Sequence, residues 1–189
     1  EYARKYTVYH NIILLDTAGK VLAQLDPDNP VAVSSDPLIA ESLVTDAAYV
    51  ETYRHSSLQP EQAASLIYSY RVTTADGSRP LGVLCLCFRF ENEIAGIFAN
   101  LRAEDDWSTL MLLDKAGAVI ASSDAHHVPI GARLDKVAGG DCKVVRFAGR
   151  EYLATTCPTK GYQGYMGPGW LGHVMVPLEK AFSRSAVDR

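Results

Sequence analysis

One segment of this sequence occurs twice. Residues 12–24 (IILLDTAGKVLAQ) and residues 110–122 (LMLLDKAGAVIAS) share seven of 13 positions at an offset of 98. In each copy an apolar run precedes Asp-x-x-Gly and a second apolar run follows, a pattern that predicts two strands joined by a tight turn. Aspartate caps such a turn, and glycine adopts the positive φ that other residues resist. The offset is too long for a solenoid and predicts two small modules of similar fold.

Composition narrows the class of protein. The chain has 189 residues, of which 48% are hydrophobic and 21% charged, typical of a globular protein with one or two modest cores. Its net charge of −4 and its lack of a dense Lys/Arg run argue against nucleic acid as a partner. No apolar run approaches the roughly 18–20 residues of a membrane helix. Hydrolase and zinc-ligand spacings are also missing, so we expect no enzyme, no metal and no cofactor.

Local patterns predict the remaining elements. Asp36 before Pro37 is a good helix N-cap followed by an N1 proline, which predicts a short helix over 37–44. We expect a further helical turn over 47–54, strands over 64–73 and 80–90, and a helix over 91–101. In the second half we expect a hairpin over 142–157, a strand over 170–176 and a helix starting at 177.

Tyrosines and arginines concentrate in the first half of the chain. Arginine offers a bidentate fork for a carboxylate and tyrosine hydroxyls add oriented donors, so such a set suits a pocket for a small anion. The alternative is that the tyrosines pack at strand edges and the arginines are solvated. Strand 64–73 has two faces, and the sequence does not say which one is inward. The candidate ligand-binding residues are Tyr49, Tyr53, Arg54, Tyr68, Tyr70 and Arg71.

Two features of the second half are further candidates. The glycine-rich loop 160–170 carries Tyr162, Tyr165 and Trp170, which suit a lid or a dimer contact, although a plain connection between strands is the alternative. A hairpin turn centred on Gly149 and Arg150 would place Cys142 opposite Cys157, within disulfide range in an oxidising compartment. The other two cysteines, at 85 and 87, are expected in the core.

The chain resembles the double Cache family, the PAS-like extracytoplasmic sensors of bacterial chemoreceptors, histidine kinases and diguanylate cyclases. The duplicated Asp-x-x-Gly hairpins, the Ser35-Asp36-Pro37 step, the strand-to-helix run over 81–98 and the closing segment 169–182 carry the resemblance. It implies an α+β fold of two tandem PAS-like modules, each an antiparallel sheet flanked by helices. We place the modules at 1–104 and 105–189, and in this family the membrane-distal module, here the first, usually holds the ligand.

The resemblance also implies a function. We expect a ligand-sensing input domain that binds a small metabolite, with anionic compounds as candidates, and passes a conformational shift to an output domain of the parent protein. The domain would be the periplasmic part of an inner-membrane protein. Two alternatives stay open: a cytoplasmic PAS- or GAF-like regulatory module, and a ligand-free dimerisation module. The oligomeric state, including a homodimer, stays open as well.

Overall fold

The computed structural model describes residues 8–102, 107–137, 141–159 and 167–182. The chain forms two compact units, Glu1–Glu93 and Ile94–Arg189. Each unit has its own five-stranded sheet, and every described pair of neighbouring strands is antiparallel. Within the described ranges, no helix is both long enough and apolar enough to cross a membrane.

The two sheets have equivalent strand orders. In the first unit the order is β2-β1-β5-β4-β3, and in the second it is β7-β6-β10-β9-β8, so that β6 corresponds to β1 and β10 to β5. The first unit contains β1 (Tyr9–Asp16), β2 (Val21–Gln24), α1 (Pro37–Val44), β3 (Val50–Arg54), β4 (Ser65–Thr73), β5 (Pro80–Phe88) and the start of α2 (Phe90–Leu101). The second contains β6 (Thr109–Leu113), β7 (Val119–Ser122), β8 (Lys143–Phe147), β9 (Arg150–Pro158), β10 (Leu171–Pro177) and α3 (Leu178–Ala181).

The duplicated segment forms the same hairpin in both units, as predicted. Asp16 Oδ1 accepts the amides of Ala18 and Lys20 at 2.9 Å each, and Asp114 Oδ1 does the same in the second copy at 2.8 Å. Gly19 and Gly117 have φ of 80° and 85°. A Cβ on Gly19 would lie 2.1 Å from the Ser34 carbonyl oxygen, and on Gly117 2.7 Å from that of Leu134. Both the turn and the packing behind it therefore require glycine.

Helix α1 covers one face of the first sheet. It begins as predicted, because the Asp36 carboxylate accepts the Leu38 amide at 2.9 Å and proline occupies the first turn. Its buried residues join inward side chains of the strands in one core. That core consists of Ile13, Leu15, Leu38, Ile39, Val50, Leu58, Ile67, Val83, Cys85 and Cys87.

The second unit covers its sheet differently. The described residues between β7 and β8 form turns and an isolated bridge rather than a helix. Two valines of this segment, Val128 and Val137, are buried in the second core. The other members of that core are Met111, Leu113, Val119, Ala154 and Met175.

The structure corrects three expectations. Residues 50–54 form the edge strand β3, paired with β4, rather than a helical turn. The hairpin turn between β8 and β9 centres on Ala148 and Gly149, both with positive φ, so Phe147 pairs with Arg150. This register differs by two residues from the predicted one and, extended by one residue, places Cys142 opposite Thr155. Cys142 and Cys157 are consequently free thiols, both exposed.

Candidate ligand-binding site

A buried carboxylate organises the end of the first sheet beside α1. Asp36 is 4% exposed, and its carboxylate accepts Arg54 Nη2 at 2.5 Å, Arg54 Nη1 at 3.2 Å and the Ser56 hydroxyl at 2.6 Å. Burial alone would raise the pKa of Asp36, but the hydrogen bonds from Arg54, Ser56 and the Leu38 amide outweigh it and hold that pKa below its ordinary value. Asp36 is therefore a charged structural group that joins α1 to β3 and the loop after it.

In this arrangement Arg54, which the sequence predicted to bind an anionic ligand, is paired with a carboxylate of the protein itself. Arg54 donates both terminal nitrogens to Asp36, and Nη1 also reaches the His55 carbonyl at 2.9 Å. Its side chain keeps 41% exposure. The hydrogen bond to Asp36 raises the Arg54 pKa above its ordinary value. In this geometry Arg54 neutralises a protein carboxylate, which leaves little of its fork for a ligand.

A cavity of about 230 Å³ opens next to this ion pair. Ser65, which lies directly opposite Arg54 across β3 and β4, is one of its lining residues. Phe90 also lines it and packs edge-to-face against Tyr53, with ring centroids 5.0 Å apart. The described residues that line it are His10, Gln59, Gln62, Ala64, Ser65, Phe88, Arg89, Phe90, Glu91 and Asn92.

Three buried polar atoms on residues that line this cavity, Gln59 Nε2, Ser65 Oγ and His10 Nε2, lack hydrogen-bond partners among the described residues. Gln59 is 2% exposed and Ser65 is 3% exposed, yet neither Gln59 Nε2 nor Ser65 Oγ has a hydrogen-bond partner among the described residues. Leaving such a group unpaired costs roughly 1–3 kcal/mol, so native proteins rarely do so without a reason. These residues line one cavity, which makes a polar occupant of that cavity a physical explanation for the missing partners.

Charged residues of both signs surround the same cavity. Arg89 lines it and donates Nε to the Tyr9 carbonyl at 3.1 Å, while Glu91 lines it as well. His10 Nε2 lies 3.3 Å from Glu61 Oε1 but makes no hydrogen bond of good geometry there. A ligand in this cavity would therefore meet a guanidinium, a carboxylate and neutral donors within one small volume.

The six predicted ligand residues do not meet at this cavity. Tyr68 and Tyr70 lie on the sheet face opposite α1, where Tyr68 packs against Tyr49 and Phe88 with centroids 6.0 and 5.6 Å apart. Tyr70 is 56% exposed. Arg71 lies on the α1 face and donates Nη1 to the Leu43 carbonyl at 3.0 Å. Tyr53, Arg54 and Tyr68 each adjoin the cavity only through a neighbour that lines it, namely Phe90, Ser65 and Phe88.

Sequence reasoning missed Gln59 and Ser65, although a signal for the serine was present. Serines alternate with Ile67 on one face of β4, and Ser65 and Ser69 are both buried on it. Polar residues on the inward face of a strand are unusual enough to mark a site. Gln59 lies in the loop before β4, and its sequence context offered no comparable sign.

The loop candidates of the second unit fall mostly outside the described residues. Tyr162 and Tyr165 lie there. Trp170 is half-buried, and its carbonyl accepts the Thr159 amide at 3.3 Å and the Thr159 hydroxyl at 3.0 Å. These contacts connect the end of β9 to the start of β10.

Three solved structures show what this chain is similar to. It matches the extracellular domain of the putative histidine kinase rpHK1S-Z16 with a TM-score of 0.65 and 15% identity, over 96% of this chain and 76% of that one. The ligand-binding domain of Mlp24 with asparagine gives 0.65 and 14%, over 93% and 71%. The ligand-binding domain of the Pseudomonas aeruginosa amino-acid chemoreceptor PctB with L-arginine gives 0.64 and 16%, over 95% and 70%.

No family model and no curated protein matches the sequence itself. At identities of 14–16% the structural match concerns the fold, which is one that ligand-binding domains of histidine kinases and chemoreceptors adopt. The resemblance to Cache sensors expected from the sequence is confirmed at that level. This chain therefore has the fold of an extracellular sensor domain, with two five-stranded antiparallel sheets of equivalent order.

Proposed function

We propose that this chain is the ligand-sensing input domain of a bacterial signal-transduction protein. Its parts would be two tandem PAS-like Cache modules, 1–104 and 105–189, lying outside the cytoplasm and followed by an output domain of the parent protein. The fold supports this assignment, because the matched histidine kinases and chemoreceptors use it for sensor domains. The single observation that carries it is the cavity of the first unit, where Gln59 Nε2 and Ser65 Oγ lack protein partners.

The lining of the cavity defines the class of ligand. Gln59 Nε2 and Ser65 Oγ offer hydrogen bonds to a carboxylate or carbonyl, and Arg89 adds positive charge. Glu91 would attract an amino group at the other end of the same molecule. At about 230 Å³ the cavity is smaller than drug-sized pockets, so the ligand is a small metabolite. Amino acids and short carboxylates are the compounds to test first.

Sensing would follow from differential binding. A ligand that makes hydrogen bonds to Gln59 and Ser65 favours the conformations in which these residues converge, and it shifts the population toward them. Tyr53 and Arg54 connect the cavity to β3 and, through Asp36, to α1. A shift in the cavity is thus coupled to the packing of α1 on the sheet.

The test is a thermal-shift and calorimetry panel with L-asparagine, L-arginine, L-alanine, γ-aminobutyrate and succinate. A ligand at 100 times its Kd stabilises the folded chain by about 2.7 kcal/mol, which is several degrees in Tm. Ser65→Ala should weaken binding about fivefold to tenfold or more, because it removes a hydrogen bond to the ligand. Its own unfolding free energy should not fall, since the Ser65 hydroxyl has no protein partner.

Ser69→Ala is the matched control. Ser69 lies on the same face of β4 and is 1% exposed, but its hydroxyl bonds to Ser42 Oγ at 2.5 Å and to the Val50 carbonyl at 3.2 Å. It should lose about 1–2 kcal/mol of stability and keep its ligand affinity. Equal affinities in Ser65→Ala and the unmodified chain would remove the cavity from the proposal. No binding across the panel would favour the ligand-free dimerisation module.

A further inference from the structure

The second unit carries a histidine where the first carries a cysteine. Ile13 of β1 pairs with Cys85, and Met111, its counterpart at the offset of 98, pairs with His173. Both residues are buried, with exposures of 0% and 1%. Cys85 needs no hydrogen-bond partner, and burial raises its thiol pKa to about 12. An imidazole at the equivalent position brings two ring nitrogens that do need partners.

One ring nitrogen of His173 is satisfied within the unit. Thr156 Oγ1 accepts the Val137 amide at 2.9 Å and lies 2.7 Å from His173 Nδ1. If the threonine hydroxyl donates to Nδ1, both groups are paired and the proton of the ring resides on Nε2. With the ring proton on Nδ1 instead, the Thr156 hydroxyl proton would have no acceptor among the described residues, and Nε2 would lack a partner as well. Hydrogen-bond satisfaction therefore assigns Nε2–H as the donor edge of a neutral ring.

The Nε2 atom has no partner among the described residues, and His173 lines a cavity of about 60 Å³. That volume holds a few water-sized groups. The lining combines apolar walls with charged residues from the segment before β8 and from β8 itself. Its described members are Arg133, Leu134, Asp135, Val145, Arg146, Phe147, His173 and Met175.

We propose that this cavity is a second ligand site, which takes a carboxylate of about the size of acetate with His173 Nε2–H as its buried donor. A donor without an acceptor requires an occupant that accepts, and a carboxylate oxygen is a strong acceptor. Arg133 and Arg146 supply positive charge at the cavity, although Arg146 also pairs with Glu151 at 3.1 Å and Asp135 adds one negative charge. The site lies wholly in the second unit, so it does not depend on the cavity of the first.

The first measurement is the imidazole ¹⁵N spectrum of the full chain, labelled at histidine, during titration with sodium acetate. Sodium chloride at equal ionic strength is the control salt. We expect His173 to be the Nε2–H tautomer and its Nε2–H signal to shift saturably with acetate but not with chloride. The Nδ1–H tautomer, or identical responses to the two salts, would overturn the proposal. So would the lack of any acetate response, because water would then be the occupant.

Two variants separate this site from the rest of the chain. His173→Cys installs the residue of the equivalent position in the first unit, and it should weaken acetate binding at least about tenfold. His127→Cys makes the same change at a histidine whose side chain is 70% exposed, and it should leave acetate binding unchanged. Retained acetate affinity in His173→Cys would overturn the assignment. Failure here, with a ligand response still seen for the first unit, would leave the proposed function standing.

Discussion

The two units share a strand order and a hairpin, but they bury different polar side chains against the sheet. Of the described buried polar residues, eight lie in the first unit and four in the second. In the first unit α1 and the residues around it place Asp36 and Ser42 over the strands, whereas in the second a segment whose described residues form no helix places Val137 there. The comparison teaches that the duplicated part is the sheet and its turn, while the segment over the sheet determines the kind of site.

Equivalent positions make the contrast specific. By the pairing registers, Ser69 and Cys85 of the first unit correspond to Thr156 and His173 of the second. Ser69 is hydrogen-bonded to Ser42 of α1, while Thr156 bonds to the Val137 amide and His173. The same two backbone positions therefore carry a hydrogen-bonded serine and an apolar thiol in the first unit, whereas in the second they carry an imidazole whose Nε2 has no partner among the described residues.

The largest expected loss of stability follows from removing the buried carboxylate of the first unit. Asp36→Ala removes the N-cap of α1 and the hydrogen bonds from Arg54 and Ser56, and it should cost about 2–4 kcal/mol in urea unfolding. The exposed Asp46→Ala is the control and should change stability by less than about 0.5 kcal/mol. Equal effects of the two changes would contradict the structural role of Asp36.

The Asp36 carboxylate also makes the stability of the folded chain depend on pH. The pKa of Asp36 is lower in the folded chain than in the unfolded one, so its contribution is complete above the unfolded value near 3.9. It is lost as the pH falls through the folded pKa. Asp36→Asn should therefore flatten the loss of stability below pH 4 in acid titrations followed by circular dichroism.

The next effect compares the two copies of the turn. Gly19→Ala and Gly117→Ala both force a side chain onto a positive φ, and both bring Cβ against a carbonyl oxygen. Because that distance is 2.1 Å at Gly19 and 2.7 Å at Gly117, Gly19→Ala should cost about 2–3 kcal/mol and Gly117→Ala less. Gly77→Ala is the control, since its φ is 73° and its Cβ would meet no atom within 4 Å. A larger loss at Gly117 than at Gly19 would contradict the closer packing of the first hairpin.

The smallest expected effect is a pH dependence of stability that arises from His173 and has no counterpart at Cys85. Burial lowers the pKa of His173, so the unfolded chain takes up the proton first as the pH falls below about 6.5. The folded chain then loses up to about 1 kcal/mol of stability between pH 7.5 and pH 5.5. His173→Cys should remove that component from urea unfolding at the two pH values, whereas His127→Cys should retain it. Identical pH dependence in both variants would show that His173 does not titrate in this way.

Local patterns were sufficient where the physics is local. The two hairpins follow from Asp-x-x-Gly between apolar runs, and α1 follows from Asp36 before a proline, so both predictions are confirmed. The prediction for residues 47–54 was wrong, because β3 exists through its pairing with β4 rather than through its own propensity. The predicted register of β8 and β9 was wrong because Ala148 adopts a positive φ of 48°, a conformation that the sequence does not predict for an alanine.

The candidate site shows the same division. Period-two alternation separated the two faces of β4, but it could not say that α1 would cover the serine face and leave Tyr68 and Tyr70 on the other. Arg54 was predicted to bind a ligand because its guanidinium can donate two hydrogen bonds to a carboxylate. Only the tertiary structure shows that the guanidinium already donates to Asp36. Whether those tyrosines and Arg71 contact a ligand stays a prediction.

By itself the sequence determined two modules, their turns and the cap of α1, because each depends on residues a few positions apart. The tertiary structure decided which polar groups meet in a cavity and which are already paired. Gln59, Ser65 and Arg89 come from three separate segments, and His173 meets Thr156 on another strand. Such contacts depend on strand register and on what packs over the sheet, and neither is encoded within a short window of sequence.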